Sequence, residues 1–423
     1  MNGRLTYKHT FSGCMTGFIV QAINNNLAPL LFVIFQDEFG LNLSSLSTVI
    51  LVNFLTQLCV DAFAGKITDK FGFRFSVLAA MACSALGLVL LGVLPNVWSN
   101  TFAALTVSTV VFAIGGGLIE VVVSPLTELL PLGEKKSTMA FLHSFYCWGQ
   151  AVVVLLSTLF IRFTDPSLWY VLPLVWAVVP IANAIWFAFV PIAQTIPEEK
   201  RTPLISLLKD KRFLLALVVM TCAGACELTV SQWSSLFAEK GLGVSKFLGD
   251  LLGPCLFAVL MGIGRLFFGL FGAKMNLLRV LKILTVCCII CYLTMVFVPQ
   301  PIISLLACGF TGLTVSMLWP GTISNTSARF PYGGTAMFGL CALFGDLGCA
   351  AGPGIAGLVA DAIVKSPSFL QIAESTGLSA EQVGLRGGIL VGMFFPILQL
   401  ICLFAIGLMD KPSRKKESLT AEV

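Results

Sequence analysis

Charged residues are scarce in this 423-residue sequence. Lys, Arg, Asp and Glu make up 11% of it, whereas soluble proteins contain about 25%. Histidine is rarer still, because His9 and His143 are the only 2 in the chain, and so the zinc-protease motif H-E-x-x-H cannot occur. The sequence also has no G-x-S-x-G nucleophile motif and no P-loop. These absences argue against a soluble protein, against hydrolases of these classes and against ATP-driven work by this chain.

Apolar residues are abundant instead. Hydrophobic residues make up 57% of the chain, and its mean hydropathy is +0.93. A helix of about 20 apolar residues crosses a bilayer core. Runs of that kind lie near residues 11–36, 44–66, 75–95, 101–127, 138–161, 168–191, 213–238, 248–271, 278–298, 302–325, 334–361 and 386–409. The sequence therefore predicts an all-α membrane protein with twelve transmembrane helices in a lipid bilayer.

Cysteine is also frequent, with 14 residues. Most lie inside apolar runs and lack the spacing of metal ligands or of a secreted disulfide framework. We interpret them as small packing residues. Neither a metal nor a cofactor is expected.

The longest polar stretch between the runs divides them into two sets of six. It covers residues 194–212 and contains two prolines and mixed charges, which suits a cytoplasmic linker. The expected organisation is an N-terminal six-helix bundle over 1–193, the linker over 194–212, a C-terminal six-helix bundle over 213–410 and a cytoplasmic tail over 411–423.

Lys and Arg residues are distributed unevenly between the two membrane faces. Of 26 such residues, 20 fall on one side and 5 on the other, with Arg265 inside a span. Cytoplasmic loops carry the excess of positive charge, so both termini are predicted to be cytoplasmic. The short loops favour a plasma membrane of the bacterial inner-membrane type. This asymmetry also accounts for the net charge of +5, and no nucleic-acid partner is expected.

Two pairs of segments repeat between the two sets of six. "GLIEVVVSP" at 117–125 and "GLTVSMLWP" at 312–320 both place a proline eight positions after the first glycine. "DAFAGKITDKFGFR" at 61–74 aligns with "RLFFGLFGAKMNLLR" at 265–279, where Asp61 and Arg265 each precede a glycine by four residues. Related six-helix halves joined by a linker are the parallel-repeat plan of one large class of transporters.

The segment "DAFAGKITDKFGFR" resembles the loop signature of the major facilitator superfamily, at Gly65, Asp69, Lys70, Gly72 and Arg74. In that family the signature lies between the second and third helices, as it does here. The resemblance covers nearly the whole chain. It implies the major facilitator fold, with two pseudo-symmetric six-helix bundles, and secondary transport by alternating access.

Within the superfamily, "GLIEVVVSPL" resembles the fourth helix of the fucose:proton symporter family, where a Glu precedes a small residue and a proline. "FLHSFYCWGQ" at 141–150 resembles the fifth helix of that group. The fucose symporter has an acidic residue in its first helix, whereas this chain has "QAINNNLAP" at 21–29.

Ionisable residues inside spans are costly and usually face a cavity or a partner. Asp61 and Arg265 lie within about two turns of the predicted cytoplasmic boundary, where they would form a gating or structural ion pair. Glu227 and Asp346 lie near mid-depth, and Glu120 lies somewhat nearer the inside. No Lys or Arg is expected at mid-depth, which argues against an anionic substrate.

A neutral polyol needs amides, hydroxyls, carboxylates and an aromatic plane. Small and polar residues recur every three or four positions in several spans, which gives each a polar face; close helix packing is the alternative explanation for the Gly and Ser positions. The predicted substrate-binding residues are Asn24, Asn25, His143, Gln150, Glu227, Gln232, Trp233, Trp319 and Asn325. The tryptophans could equally serve as packing residues or interfacial anchors.

A carboxyl group enclosed in an apolar wall favours its neutral form and ionises when water reaches it. Alternating access changes that wetting in every cycle, so Glu120 is predicted to take a proton from one side and release it to the other. Glu227 is the rival proton carrier, and Asp346 is the third candidate. The alternative is that Glu120 is a structural carboxyl group bonded to a neighbouring helix.

The sequence thus predicts a proton-coupled symporter of a sugar or similar neutral polyol, not an enzyme. We expect a monomer whose partners are a small-molecule substrate and protons. Gating is assigned to Asp61, Gly65, Asp69, Arg74 and Arg265. An antiporter that exports amphiphilic drugs or metabolites is the alternative, because the acidic residues and phenylalanines would also suit a cation. An intramembrane enzyme or a receptor has less support, since catalytic motifs and a signalling domain are missing.

Overall fold

The computed structural model describes residues 5–132, 135–192, 204–271, 275–330 and 334–409. Those residues form helices and no strand. Eleven helices are long and apolar enough to cross a membrane, and a bent pair, Tyr7–Leu30 and Phe32–Phe39, makes twelve when it is counted as one span. The predicted all-α architecture with twelve spans is confirmed.

We number the spans α1 to α12 in chain order, with the bent pair as α1. The first half continues with α2 Leu43–Ala64, α3 Lys70–Val97, α4 Thr101–Thr127, α5 Phe141–Phe163 and α6 Pro166–Phe189. The second half contains α7 Lys211–Gly241, α8 Lys246–Phe268, α9 Leu277–Phe297, α10 Pro301–Thr326, α11 Gly339–Val364 and α12 Ala380–Met409. Two short helices, Leu204–Leu208 and Pro367–Thr376, lie between spans. Several spans are longer than the apolar runs predicted, because their helices continue into polar flanks.

The helix packing repeats between the halves at the glycines of the sequence repeat. A Cβ atom on Gly117 of α4 would lie 3.0 Å from the carbonyl oxygen of Gln57 in α2. A Cβ atom on Gly312 of α10 would lie 2.0 Å from the carbonyl oxygen of Phe257 in α8. The fourth helix of each half thus packs its glycine on the second helix. Residues 193–203 and 410–423 lie outside the described residues, so the linker and tail boundaries stay predictions.

Four prolines coincide with interruptions of their helices. The helical pattern changes at Ala177, Leu251, Met317 and Met393. Each position lies three residues before a proline, namely Pro180, Pro254, Pro320 and Pro396. A proline ring clashes with the carbonyl group four residues earlier and offers no N–H to it, which explains this constant offset.

Protein encloses one segment of α1 and one segment of α7 on all sides. Every residue from Val20 to Leu30 is buried, and so is every residue from Cys222 to Leu236. The polar side chains of these segments therefore face other helices and not lipid. This arrangement places them at the contact between the two halves.

The contact between α7 and α11 leaves no room for side chains at several glycines. A Cβ atom on Gly348 would lie 1.8 Å from the carbonyl oxygen of Thr221, and one on Gly224 would lie 2.2 Å from that of Gly345. The substitution Gly348→Ala should therefore force the two helices apart. Overpacking of this kind costs about 1–3 kcal/mol, so we expect a melting temperature several degrees lower, measured by the exposure of buried thiols to a reactive dye.

Gly339→Ala is the matched control, because it lies in the same helix and has no heavy atom within 4 Å of the added Cβ. Its melting temperature should stay at the wild-type value. Equal melting temperatures for the two variants would contradict the close α7–α11 contact.

Candidate functional site

Four amide side chains form a buried hydrogen-bonded cluster between α1 and α2, which we call the amide cluster. Asn53 and Gln57, one turn apart on α2, both donate to Oδ1 of Asn25, at 3.2 and 2.9 Å. Gln21 donates from Nε2 to Oε1 of Gln57 at 2.8 Å. All four side chains are buried. The cluster concentrates donors and acceptors where two helices of the first half meet the second half.

Glu120 of α4 is connected to the amide cluster through Gln21. Nε2 of Gln21 lies 3.3 Å from Oε2 of Glu120, and Glu120 is half-buried. Gly116, one turn earlier on α4, leaves space for the cluster, because a Cβ atom there would lie 2.9 Å from Oε1 of Gln21. A change in the charge of Glu120 would therefore act directly on the hydrogen bonds of Gln21.

Asn24 and Asn25 point in different directions although they are adjacent. Asn24 donates from Nδ2 to Oγ of Ser84 at 2.9 Å and to the carbonyl oxygen of Phe112 at 3.3 Å. Its own side-chain oxygen is buried and has no hydrogen-bond partner in the described part of the chain. Asn24 thus joins α1 to α3 and α4, whereas Asn25 belongs to the amide cluster.

The first half contacts α7 through polar groups of α1 and α5. Gln232 donates to the main-chain carbonyl of Asn25 at 2.9 Å. That carbonyl would be bonded by the residue four positions later in a regular helix, but the residue there is Pro29, which has no N–H. Gln150 of α5 donates to Oγ of Ser231 at 2.8 Å, and Oγ of Ser231 lies 3.4 Å from Oδ1 of Asn26. The predicted residues Asn25, Gln150 and Gln232 therefore lie at the contact between the halves.

Arg265 of α8 pairs with Glu227 of α7. The guanidinium lies 3.2 and 3.3 Å from the two carboxylate oxygens, and the side chains are only 10% and 8% exposed. Arg265 also donates to the carbonyl oxygen of Ser316 at 3.3 Å, a group left without its helical donor because Pro320 lies four residues later. The expected ion pair of Asp61 with Arg265 is wrong. So is the expectation that no cation reaches mid-depth, because the long arginine side chain extends to Glu227.

Asp61 of α2 instead lies beside Asp346 of α11, across the contact between the halves. Both oxygens of Asp61 and Oδ2 of Asp346 are buried and have no hydrogen-bond partner among the described residues. The residue predicted for gating and the residue predicted for proton coupling are therefore neighbours.

The predicted aromatic residues lie around the site with different surroundings. Trp233 is buried, donates its indole N–H to the carbonyl of Pro353 at 2.9 Å and packs 5.9 Å from the ring of Phe32. Its only donor is thus used by the protein, which fits a packing role better than the predicted substrate contact. Trp319 covers Gly345 of α11, where a Cβ atom would lie 2.1 Å from Cη2.

His143 and Asn325 complete the predicted set. Nε2 of His143 lies 3.5 Å from Oγ of Ser124, and its ring centroid lies 4.8 Å from that of Phe18. Asn325 is half-buried at the end of α10, one residue before Thr326. Among the described residues, no group of three or more His, Cys, Asp or Glu could hold a metal ion.

The loop-signature residue Arg74 has a structural role within the first half. Its guanidinium donates to the carbonyl oxygens of Phe187 and Val190, each at 2.8 Å, and also to that of Ala188. These carbonyls lie at the end of α6, where a helix leaves its last acceptors free. The side chain of Asp69 and the surroundings of Gly65 lie outside the described part of the structure, so their gating role stays a prediction.

Contacts between the halves close the end of the bundle that lies away from the chain termini. Nζ of Lys240 lies 2.7 Å from Oδ1 of Asp37, and Gln36 donates to Oε1 of Glu381 at 3.0 Å. Ser47 of α2 donates to the carbonyl oxygen of Gly354 in α11 at 2.7 Å. Three separate polar contacts thus join the halves at this end.

A buried acid strengthens the same closure. Asp250 of α8 is 0% exposed, accepts a hydrogen bond from Thr158 of α5 at 2.9 Å and lies 3.2 Å from Nζ of Lys246. Nζ of Lys246 also donates to the carbonyl oxygen of Leu30 in α1 at 2.9 Å. The pair therefore holds both α1 and α5 of the first half.

Sequence reasoning missed Asn53, Gln57 and Asp250. Asn53, Gln57 and Asp61 recur every four residues on α2, so a polar stripe was visible there. Asp250 follows Lys246 by one turn at the beginning of α8. Because this position is close to the span boundary, the sequence did not indicate that Asp250 is buried.

The substitution Asp250→Asn should open this end of the bundle. Removing one partner of a buried pair costs about 3–5 kcal/mol, because Lys246 keeps an uncompensated charge. We expect amide hydrogen exchange to accelerate about tenfold or more in residues 30–40 and 238–250, measured by mass spectrometry on the protein in detergent.

Lys365→Met is the control, since it removes the pair that the exposed Lys365 makes with Asp361 at the end of α11, a pair that joins no two spans. Exchange in residues 30–40 and 238–250 should not change in that variant. Unchanged exchange in Asp250→Asn as well would show that Asp250 does not hold the halves together.

The comparisons with known proteins agree with this architecture. The sequence matches the Major Facilitator Superfamily over residues 13–353, and no curated protein matches it in sequence. Three solved structures share the fold. The outward conformation of FucP, the E. coli fucose:proton symporter, has 14% identity and a TM-score of 0.61, with 94% of this chain and 98% of FucP covered.

A D-xylose-proton symporter has 14% identity and a TM-score of 0.71, with 92% of this chain and 97% of that one covered. A bacterial homolog of the human lysosomal transporter Spinster, inward-facing and occupied, has 12% identity and a TM-score of 0.72, with 98% and 100% covered. The superfamily match extends over the first half, the whole loop between the halves and the second half as far as α11. The chain is thus a member of the Major Facilitator Superfamily, and hence a membrane transporter and not an enzyme.

Proposed function

We propose that this chain is a proton-coupled symporter of a sugar or similar neutral polyol. The observation that carries the proposal is the amide cluster, which is hydrogen-bonded to Glu120 and lies where α1 and α2 meet the second half. It provides donors and acceptors for hydroxyl groups beside a carboxyl group that can take a proton.

The charges of the site favour a neutral substrate. Arg265 would attract an anion, but its guanidinium already pairs with Glu227. The remaining polar groups of Gln21, Asn25, Gln57 and Gln232 are uncharged amides, which hydrogen-bond hydroxyls in either direction. A sugar could replace the bonds that these amides now make with one another.

Glu120 is the first candidate for proton coupling. Ionised, it accepts from Gln21; protonated, it loses its charge and gains a donor. Either change alters the bonds of Gln21 to Gln57 and thereby the amide cluster. Glu227, held by Arg265, and Asp346 are the other candidates. A proton that enters down the membrane potential supplies about 2.3 kcal/mol per 100 mV.

Alternating access requires a closed and an open end. The contacts of Lys240, Ser47 and Asp250 close the end away from the termini. The distribution of Lys and Arg supports cytoplasmic termini in a plasma membrane of the bacterial type. With that orientation, the structure represents a conformation closed to the outside, in a transporter that acts as a monomer.

The names of similar structures support a sugar substrate, since two of them are a fucose and a D-xylose proton symporter. One observation favours a second candidate, a proton-coupled antiporter that exports amphiphilic drugs or metabolites. Asp61, Glu120 and Asp346 are acidic groups without a basic partner among the contacts described above, and they would attract a cationic substrate.

Uptake into proteoliposomes with an imposed potential and pH gradient tests the coupling. Glu120→Gln should lose accumulation against a gradient, about 50-fold at 100 mV for one proton, while exchange of labelled for unlabelled substrate continues. Glu227→Gln should weaken binding, because Arg265 loses its counter-charge. Glu374→Gln, on the exposed helix Pro367–Thr376, is the control. Full accumulation in both Glu120→Gln and Glu227→Gln would contradict the mechanism.

A ligand panel identifies the substrate class. We expect neutral sugars or nucleosides to raise the melting temperature of the protein, and Gln57→Ala to abolish that rise because it removes three bonds of the amide cluster. Stabilisation by lipophilic cations alone would favour the antiporter.

A further inference from the structure

Asp61 and Asp346 form a carboxyl pair that joins the two halves of the transporter. Asp61 belongs to α2 and Asp346 to α11, and their carboxyl groups lie beside each other. Asp346 is only 3% exposed. Three of the four oxygens are buried and bond to nothing else in the described part of the protein. Each acid therefore has the other as its polar neighbour.

The chemistry of this contact requires a bound proton. An ionised carboxylate only accepts hydrogen bonds, so two ionised carboxylates cannot bond to each other. Two adjacent like charges in a protein interior also repel strongly, which favours protonation of one of the two groups. One proton between the two oxygens provides the missing donor and removes one of the charges.

The charged groups around the pair do not offset its negative charge in place of the proton. Glu120 of α4 and Glu227 of α7 act on this region as further acids, and Cys349 of α11 is the nearby thiol. Arg265, the cation of the cluster, is paired with Glu227. The surroundings therefore add negative charge, which makes a fully ionised pair still less favourable.

We propose that Asp61 and Asp346 bind one proton jointly, and that this shared proton fastens α2 to α11 across the two halves. Loss of the proton leaves two carboxylates that repel each other, and the halves separate at this contact. The inference rests on the proposed proton coupling and deepens it. It assigns to this pair a proton that acts between the halves, whereas Glu120 acts on the amide cluster within the first half.

The test is hydrogen exchange of residues 54–64 and 340–350 as a function of pH, with labelling times scaled to the intrinsic exchange rate. If separation releases one proton, the ratio of open to closed molecules rises about tenfold per pH unit above the midpoint of the transition. Asp61→Asn should remove this dependence and keep the contact closed, because its amide donates to Asp346 permanently. Asp346→Leu should leave the contact open at every pH, because Asp61 then lacks a partner.

Asp361→Asn is the matched control, because Asp361 lies on the same helix as Asp346 and pairs with Lys365, just beyond the end of α11. Its pH dependence should equal that of the wild type. Infrared spectroscopy of the wild type provides a second measurement that needs no variant to fold. The carbonyl band of a protonated carboxylic acid should disappear over the pH range in which exchange accelerates. Exchange that stays independent of pH in the wild type, or a transition that follows sodium concentration and not pH, would overturn the proposal.

Uptake in the same variants separates this inference from the proposed function. Loss of proton-driven uptake in Glu120→Gln together with wild-type pH dependence in Asp61→Asn would overturn the shared proton and leave the symporter intact. Substrate flux without any proton dependence, together with a pH transition that Asp61→Asn removes, would overturn the symporter and support the shared proton.

Discussion

A buried polar group in the membrane-spanning part of this protein is costly unless another protein group pairs with it, because the hydrocarbon core of the bilayer offers no hydrogen-bond partner. The buried segments 20–30 of α1 and 222–236 of α7 show how strongly this constraint acts. Both are completely enclosed, and both carry polar side chains over those same residues. Their partners come from α2, α3, α4, α5, α8 and α11. Among the described residues, the contact between the two halves is consequently a network of hydrogen bonds with one ion pair, and not a smooth apolar surface.

The contacts between the two halves differ in kind along the bundle. Away from the termini, Lys240 and Asp250 form ion pairs and Ser47 bonds a carbonyl group, so opposite charges and fixed donors keep the halves together. Toward the other end, Asp61 and Asp346 present two groups of the same kind to each other. A contact between two carboxyl groups depends on protonation, whereas a contact between opposite charges does not need a shared proton. The proposed shared proton would therefore give the transporter one contact between its halves that responds to protons.

Much of the fold could be predicted from the sequence, because hydropathy determines where a chain crosses a bilayer. All twelve spans and the glycine contacts of the repeat follow from apolar runs and short matching segments. The partners of the buried groups could not be predicted in the same way. Asn24 and Asn25 have the same side chain and adjacent positions, yet only Asn25 belongs to the amide cluster, since successive residues point about 100° apart around a helix. Arg265 was assigned to the boundary from its main-chain depth, but its long side chain reaches Glu227.

The prolines of α1 and α10 have a consequence for how mutations affect this transporter. Pro29 releases the carbonyl of Asn25 and Pro320 releases that of Ser316, and each released oxygen accepts a hydrogen bond from a side chain of another helix, Gln232 or Arg265. A main-chain oxygen is present whatever side chain occupies its position. Replacement of Asn25 or Ser316 therefore leaves these two bonds available, whereas replacement of either proline by alanine would let the helix take its own oxygen back. A hydrogen bond between two helices thus depends on a proline that does not itself take part in the bond.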